Sequence, residues 1–60
     1  MNNMMEKPTY NNFIEQTFFE LCCECLYYGY GFNYVDRCGL NERKAKKIWQ
    51  QAKEWMGDSF

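Results

Sequence analysis

The sequence contains no histidine, a single proline and no apolar run that approaches the ~20 residues needed to span a bilayer. The missing imidazole removes the commonest general base and a frequent metal ligand. A phosphate-binding loop is missing too, because neither Gly29 nor Gly31 is followed by the Lys-Ser/Thr pair that such a loop requires. We therefore predict no enzyme, no cofactor, no small-molecule substrate and no membrane partner.

An excess of charge of one sign is also lacking, since the formal net charge is −1. The charges are nevertheless unevenly distributed. Residues 1–36 carry five acids and one base, whereas residues 37–60 carry six bases and three acids. The basic half is either a solvated face or a surface for an acidic partner.

A chain of sixty residues is long enough for one small domain, which we assign to residues 1–60. Residues 1–8 are expected to form a loose tail with Met1, Met4 and Met5 as candidate starts. The tail has no apolar stretch typical of a signal peptide, so a cytoplasmic protein with reduced cysteines is expected. Twelve residues are aromatic, and a core of this size cannot bury them all, which is a first indication of a binding surface.

The first long helix is predicted from about Tyr10 to Tyr28, and Thr9, Asn11 and Asn12 are its candidate N-caps. Asn12, followed by Glu15 three residues later, approximates a capping box, and Gly29 ends the helix as a left-handed C-cap. An alternative for residues 26–35 is a strand, because aromatic residues favour β structure. The apolar residues that helical spacing gathers on one face are Tyr10, Ile14, Thr17, Phe18, Leu21, Cys25 and Tyr28.

The same helix carries a second apolar stripe, formed by Phe19, Cys23, Leu26 and Tyr27. A helix that is apolar on two sides must be covered on two sides, and one short partner helix covers only one. These four residues are therefore the predicted interface for another protein, or for a second copy in a helical-bundle homodimer. The alternative is that the stripe closes the core of the monomer.

A short helix or turn is predicted within residues 33–38, and Asn41 caps a last helix that runs to about Met56. The fold class predicted is all-α: a small three-helix domain with a long helix, a short helix or turn, and a long amphipathic helix. The inward positions of the last helix are Ala45, Ile48, Trp49, Ala52, Trp55 and Met56.

Three of the four cysteines lie within the first helix. Neighbouring helix residues point about 100° apart, so Cys22 and Cys23 cannot easily share one metal ion. Cys22 and Cys25 are expected to face the core as free thiols, with a zinc site or a Cys22–Cys38 disulfide as alternatives. Arg37 is expected to lower the pKa of Cys38, but no base completes a catalytic site beside it.

Residues 31–50 carry a pattern that resembles the helix-turn-helix motif of DNA-binding proteins. An apolar pair precedes a glycine, one apolar residue follows it, and two more lie in the next helix: Tyr34, Val35, Gly39, Leu40, Ala45 and Ile48. The resemblance implies that the last helix reads DNA, and DNA-binding transcriptional regulation is the alternative function. The implied DNA contacts, with side chains suited to phosphates or base edges, are Asn41, Arg43, Lys46, Lys47 and Gln50.

The small size, the Asn- and Met-rich start and the aromatic excess resemble the very short accessory proteins of temperate bacteriophages. This resemblance implies a regulatory factor in the cytoplasm of an infected or lysogenic bacterial host. Our principal prediction is therefore a non-enzymatic protein that binds a protein partner through an apolar helix face.

Overall fold

A computed structural model of the chain describes residues 7–57. They form helix α1 (Phe13–Tyr28), a 3-10 turn (Phe32–Tyr34) and helix α2 (Glu42–Met56). Because no strand occurs in residues 7–57, the all-α prediction is confirmed and the strand alternative for residues 26–35 is wrong. The predicted short middle element is a single turn of three residues, and most of the predicted tail, residues 1–6, lies outside the described part.

Both long helices begin at asparagine caps. The Asn12 side chain accepts hydrogen bonds from the backbone N–H groups of Ile14 (2.7 Å) and Glu15 (3.3 Å), and the Asn41 side chain accepts one from Lys44 (2.8 Å). These bonds satisfy N–H groups that have no partner within the first turn of a helix. α1 therefore begins at Phe13, later than predicted, because Asn12 is its cap.

The buried core joins both helices to the loop between them. Its α2 members confirm the predicted inward face at three positions, while Trp49 and Trp55 are only partly buried. Two of these α2 residues are alanines, so their short side chains leave room for the bulky rings of α1 to approach the backbone. The core residues, all apolar, are Phe18, Phe19, Cys22, Val35, Ala45, Ile48 and Ala52.

The buried face of α1 coincides with neither predicted stripe. It is centred on Cys22, and both Phe18 and Phe19 are 0% exposed. Successive helix residues point about 100° apart, so a face centred between the two rings can bury both. The predicted first face is accordingly wrong near both ends of the helix, where Ile14 is 46% and Tyr28 is 65% exposed.

Phe19 is covered by two different parts of the chain. Its ring centroid lies 5.6 Å from that of Tyr10, which precedes α1, and 5.8 Å from that of Trp55 on α2. The Tyr10 hydroxyl donates a hydrogen bond to the Gln51 side chain and so fastens this segment to α2. The monomer itself therefore covers Phe19, which corrects the expectation that this ring belongs to an exposed stripe.

The loop between the helices is fixed by Phe32. Its ring makes an edge contact with Trp49, with the centroids 5.6 Å apart, and lies 4.0 Å from the Arg37 guanidinium. A second link joins the helices directly, because the Lys44 ammonium lies 3.0 Å from the Glu15 carboxylate. Both contacts are partly exposed, so the apolar core contributes more to stability than they do.

The core position of Phe19 is tested by replacing it with alanine. Phe19→Ala is expected to cost ~3–5 kcal/mol, comparable with the whole stability of a small domain, because it leaves a cavity beside Tyr10 and Trp55. Phe13→Ala is the matched control, since Phe13 is 82% exposed and its loss should change stability by no more than ~0.5 kcal/mol. Thermal melting followed by circular dichroism measures both, and equal melting temperatures would contradict the core assignment.

Candidate functional site

Four exposed tyrosines lie together where α1 ends and the loop begins. Tyr27, Tyr28, Tyr30 and Tyr34 are 69%, 65%, 56% and 75% exposed. The rings of Tyr27 and Tyr28 meet edge to face with centroids 5.1 Å apart, and those of Tyr30 and Tyr34 are 5.7 Å apart. We call these four residues the tyrosine surface.

Backbone geometry places these rings together. Gly29 ends α1 with φ 86°, a left-handed conformation that a residue with a side chain rarely adopts. The chain then turns back, and the Tyr30 N–H donates to the Cys25 carbonyl at 2.8 Å. The 3-10 turn follows, with the Tyr34 N–H donating to the Gly31 carbonyl at 3.0 Å. The tyrosines are thus held on hydrogen-bonded backbone.

Three of the tyrosines line a groove between α1 and the loop. Its volume is about 430 Å³, within the range of ~300–1,000 Å³ typical of small ligand sites. The floor is apolar, since Val35 is 5% exposed and both Leu21 and Cys25 pack against the core. The groove residues are Leu21, Glu24, Cys25, Tyr28, Tyr30, Tyr34, Val35 and Asp36.

Two carboxylates line the groove, and no cationic side chain of residues 7–57 is among the lining residues. Glu24 and Asp36 are exposed and form no ion pair within residues 7–57. Asp36 accepts a hydrogen bond from the Cys38 N–H at 3.0 Å. The neighbouring Arg37 does not line the groove; its guanidinium donates to the carbonyls of Phe32 (3.2 Å) and Val35 (3.1 Å).

The four predicted interface residues occupy different environments. Phe19 is buried, Cys23 and Leu26 are half-buried against the core, and Tyr27 is exposed on the tyrosine surface. Sequence reasoning missed Tyr28, Tyr30 and Tyr34 as surface residues, because it assigned Tyr28 to the core and Tyr34 to the apolar pair of the helix-turn-helix pattern, and gave Tyr30 no role. A usable signal was the concentration of tyrosines on both sides of Gly29 and Gly31, which mark a surface turn.

The residues implied as DNA contacts lie along the exposed side of α2 and at its cap. Three of them already have partners within the chain. The Asn41 side chain accepts a hydrogen bond from the Lys44 N–H, the Lys46 ammonium lies 3.0 Å from the Glu42 carboxylate, and the Gln50 amide donates to Glu54 at 3.4 Å. Arg43 and Lys47 are exposed and form no ion pair in the described part of the chain. The segment before α2 contains the 3-10 turn, and the helix-turn-helix resemblance stays a prediction.

All four cysteines are free thiols. Burial is the main cause that raises the pKa of Cys22 to about 12, and the neighbouring cysteines add to it. The pKa of Cys38 is also raised, first by burial and then by the Asp36 carboxylate, so the predicted lowering by Arg37 is wrong in direction. In residues 7–57, no three His, Cys, Asp or Glu side chains are placed to hold a metal ion.

Neither described helix is long and apolar enough to cross a bilayer. Comparisons of the chain with protein-family models, curated proteins and solved structures find no match. The surfaces of the chain itself are therefore the basis for a proposed function.

The environment of Cys22 predicts its reactivity. Only the thiolate reacts with iodoacetamide, so a pKa near 12 should make alkylation at about pH 8 at least ten-fold slower in the native protein than in urea. Folding raises the pKa of Cys22 from 9.0 to about 12. The protonated thiol therefore stabilises the folded state to its full extent below about pH 9. This stabilisation is lost as the pH rises toward 12. Site-resolved mass spectrometry measures the labelling, and equal native and denatured rates would contradict a buried Cys22.

Proposed function

We propose that the chain is a non-enzymatic interaction protein that binds another protein through the tyrosine surface. The observation that supports this most directly is the group of four tyrosines, each more than half exposed, beside an apolar groove. Tyrosine is frequent at interfaces because a large, rigid ring is combined with a hydrogen-bonding hydroxyl. A contiguous aromatic surface of this kind is typical of a binding site.

The charge of the groove favours a different protein over a second copy of this one. A symmetric dimer formed through the tyrosine surface would bring Glu24 and Asp36 of both copies into one interface, where like charges repel. A contact between this surface and the basic side of α2 of another copy is not symmetric. Such a contact would join one copy to the next in an open filament, unless the copies closed into a ring.

Selection from a library of random peptides of about twelve residues tests this proposal. Peptides enriched on the protein are expected to bind Tyr34→Ala at least about ten-fold more weakly, equivalent to ~1.4 kcal/mol, because the ring is part of the groove wall. Tyr34 is 75% exposed, so the variant should keep the helicity of the parent. Phe13→Ala, which removes an exposed ring outside the groove, should bind like the parent.

Two outcomes would contradict the proposal. One is the absence of any enriched peptide whose binding depends on Tyr34. The other is a dimer, detected by sedimentation at increasing concentration, that Tyr34→Ala dissociates, since a second copy would then occupy the surface.

A second candidate function, DNA binding, is favoured by the outer side of α2. Arg43, Lys47 and Lys53 are exposed there and form no ion pair among the described residues. They carry the positive charge that phosphate contacts require. Glu54 lies on the same side and reduces the positive potential.

If this side of α2 contacts duplex DNA through the three lysine and arginine side chains, the logarithm of affinity should fall by about 0.9 per phosphate contact for each unit of log salt concentration. Lys47→Ala should then reduce the salt slope by about one contact. Lys44→Gln is the matched control, because Lys44 already pairs with Glu15 and its removal should leave the slope unchanged. Fluorescence anisotropy measures the slope, and no measurable binding at low salt would eliminate this candidate.

A further inference from the structure

We propose that the groove within the tyrosine surface receives an arginine side chain from an apolar segment of the partner. This inference rests on the proposed function and specifies the chemistry of the partner. It follows from three features of one site: an apolar floor, aromatic walls and two carboxylates without an ion-pair partner among the described residues.

The floor matches the aliphatic part of an arginine. Val35, directly after the 3-10 turn, is 5% exposed and belongs to the core cluster, so the bottom of the groove is the surface of the core itself. A long basic side chain places its methylene groups on such a surface and keeps its charged end near solvent. The apolar neighbours of the arginine would contact the exposed rings beside the groove.

The walls of the groove suit the guanidinium at the end of the arginine side chain. Tyr28 and Tyr34 present aromatic rings, whose faces attract a cation. Glu24 on α1 and Asp36 after the 3-10 turn supply negative charge from two parts of the chain. A guanidinium stacks on a ring and donates to carboxylates in a way that the compact ammonium of lysine does not, so arginine is the better match.

The loop beside the groove contains one guanidinium that already stacks on an aromatic ring. The guanidinium of Arg37 lies 4.0 Å from the Phe32 ring and donates to two backbone carbonyls. These contacts hold the Arg37 guanidinium against the loop, and Arg37 is not among the groove residues. No cationic side chain is among the groove residues, so a partner's arginine would supply the positive charge opposite Glu24 and Asp36.

The test is an NMR titration with three capped tripeptides and one amino-acid derivative. The tripeptides are acetyl-Leu-Arg-Leu-amide and its two analogues with lysine or glutamine at the central position, and the derivative is arginine methyl ester. The arginine peptide should shift the amide signals of Glu24, Tyr34 and Asp36. The lysine peptide should bind more weakly, and the glutamine peptide more weakly still. Arginine methyl ester should also bind more weakly than the arginine peptide, because it lacks the apolar neighbours.

Charge-removing variants locate the interaction. Glu24→Gln should weaken the arginine peptide by about three-fold, as expected for one exposed charge contact. Asp36→Asn should act similarly, because asparagine retains the oxygen that accepts the Cys38 N–H while losing the charge. The double variant should lose about ten-fold if the two effects add. Glu20→Gln, which removes an exposed carboxylate one turn earlier on α1 and outside the groove, is the matched control.

The outcomes separate this inference from the proposed function. If selected peptides depend on Tyr34 but the arginine and glutamine peptides bind alike, or if Glu24→Gln/Asp36→Asn has no effect, the arginine inference is wrong and protein binding stands. If the arginine peptide shifts none of the groove signals and no selected peptide depends on Tyr34, both are wrong. Equal weakening by Glu20→Gln would overturn the groove as the site, since it would show only the effect of net charge.

Discussion

The fold depends on burying two adjacent phenylalanines on one helix. Phe18 and Phe19 point about 100° apart, yet both are completely buried. The buried face of α1 must therefore be wide enough to include both rings. The chain meets this constraint with two covers: α2, whose Ala45 and Ala52 leave room for bulky side chains, and the segment before α1, whose Tyr10 packs on Phe19. The Tyr10–Gln51 hydrogen bond then joins these covers to each other.

The helices could be predicted from the sequence because their signals are local. Asn12 and Asn41 act as caps, Gly29 adopts the left-handed conformation, and the apolar positions of α2 repeat with helical spacing. The orientation of α1 could not be predicted in the same way. Its apolar residues cover most of the helix surface, so spacing alone does not determine which side faces α2. The contact of Phe19 with Tyr10 belongs to tertiary structure.

The same reason explains why the candidate groove was largely missed. Its lining comes from α1, from Tyr30 between the two glycines and from residues 34–36, and no short sequence pattern contains all three parts. The predicted stripe included Tyr27 but assigned Tyr28 to the core. Once both phenylalanines are buried, Tyr28 points roughly 120° away from Cys22, the centre of the packed face, and remains exposed. The exposure of the tyrosine surface is thus a consequence of how α1 is rotated against α2.

The shared core also determines how the molecule can open. α1, the loop and α2 all contribute to one cluster of seven buried side chains in the described residues, and no second cluster supports either helix. Separating α1 from α2 exposes most of this cluster at once, so the central amide protons of both helices should exchange with solvent through the same cooperative event. The four residues of the tyrosine surface are not members of that cluster. Their substitution can therefore change the chemistry of the tyrosine surface with little change in the population of the folded state.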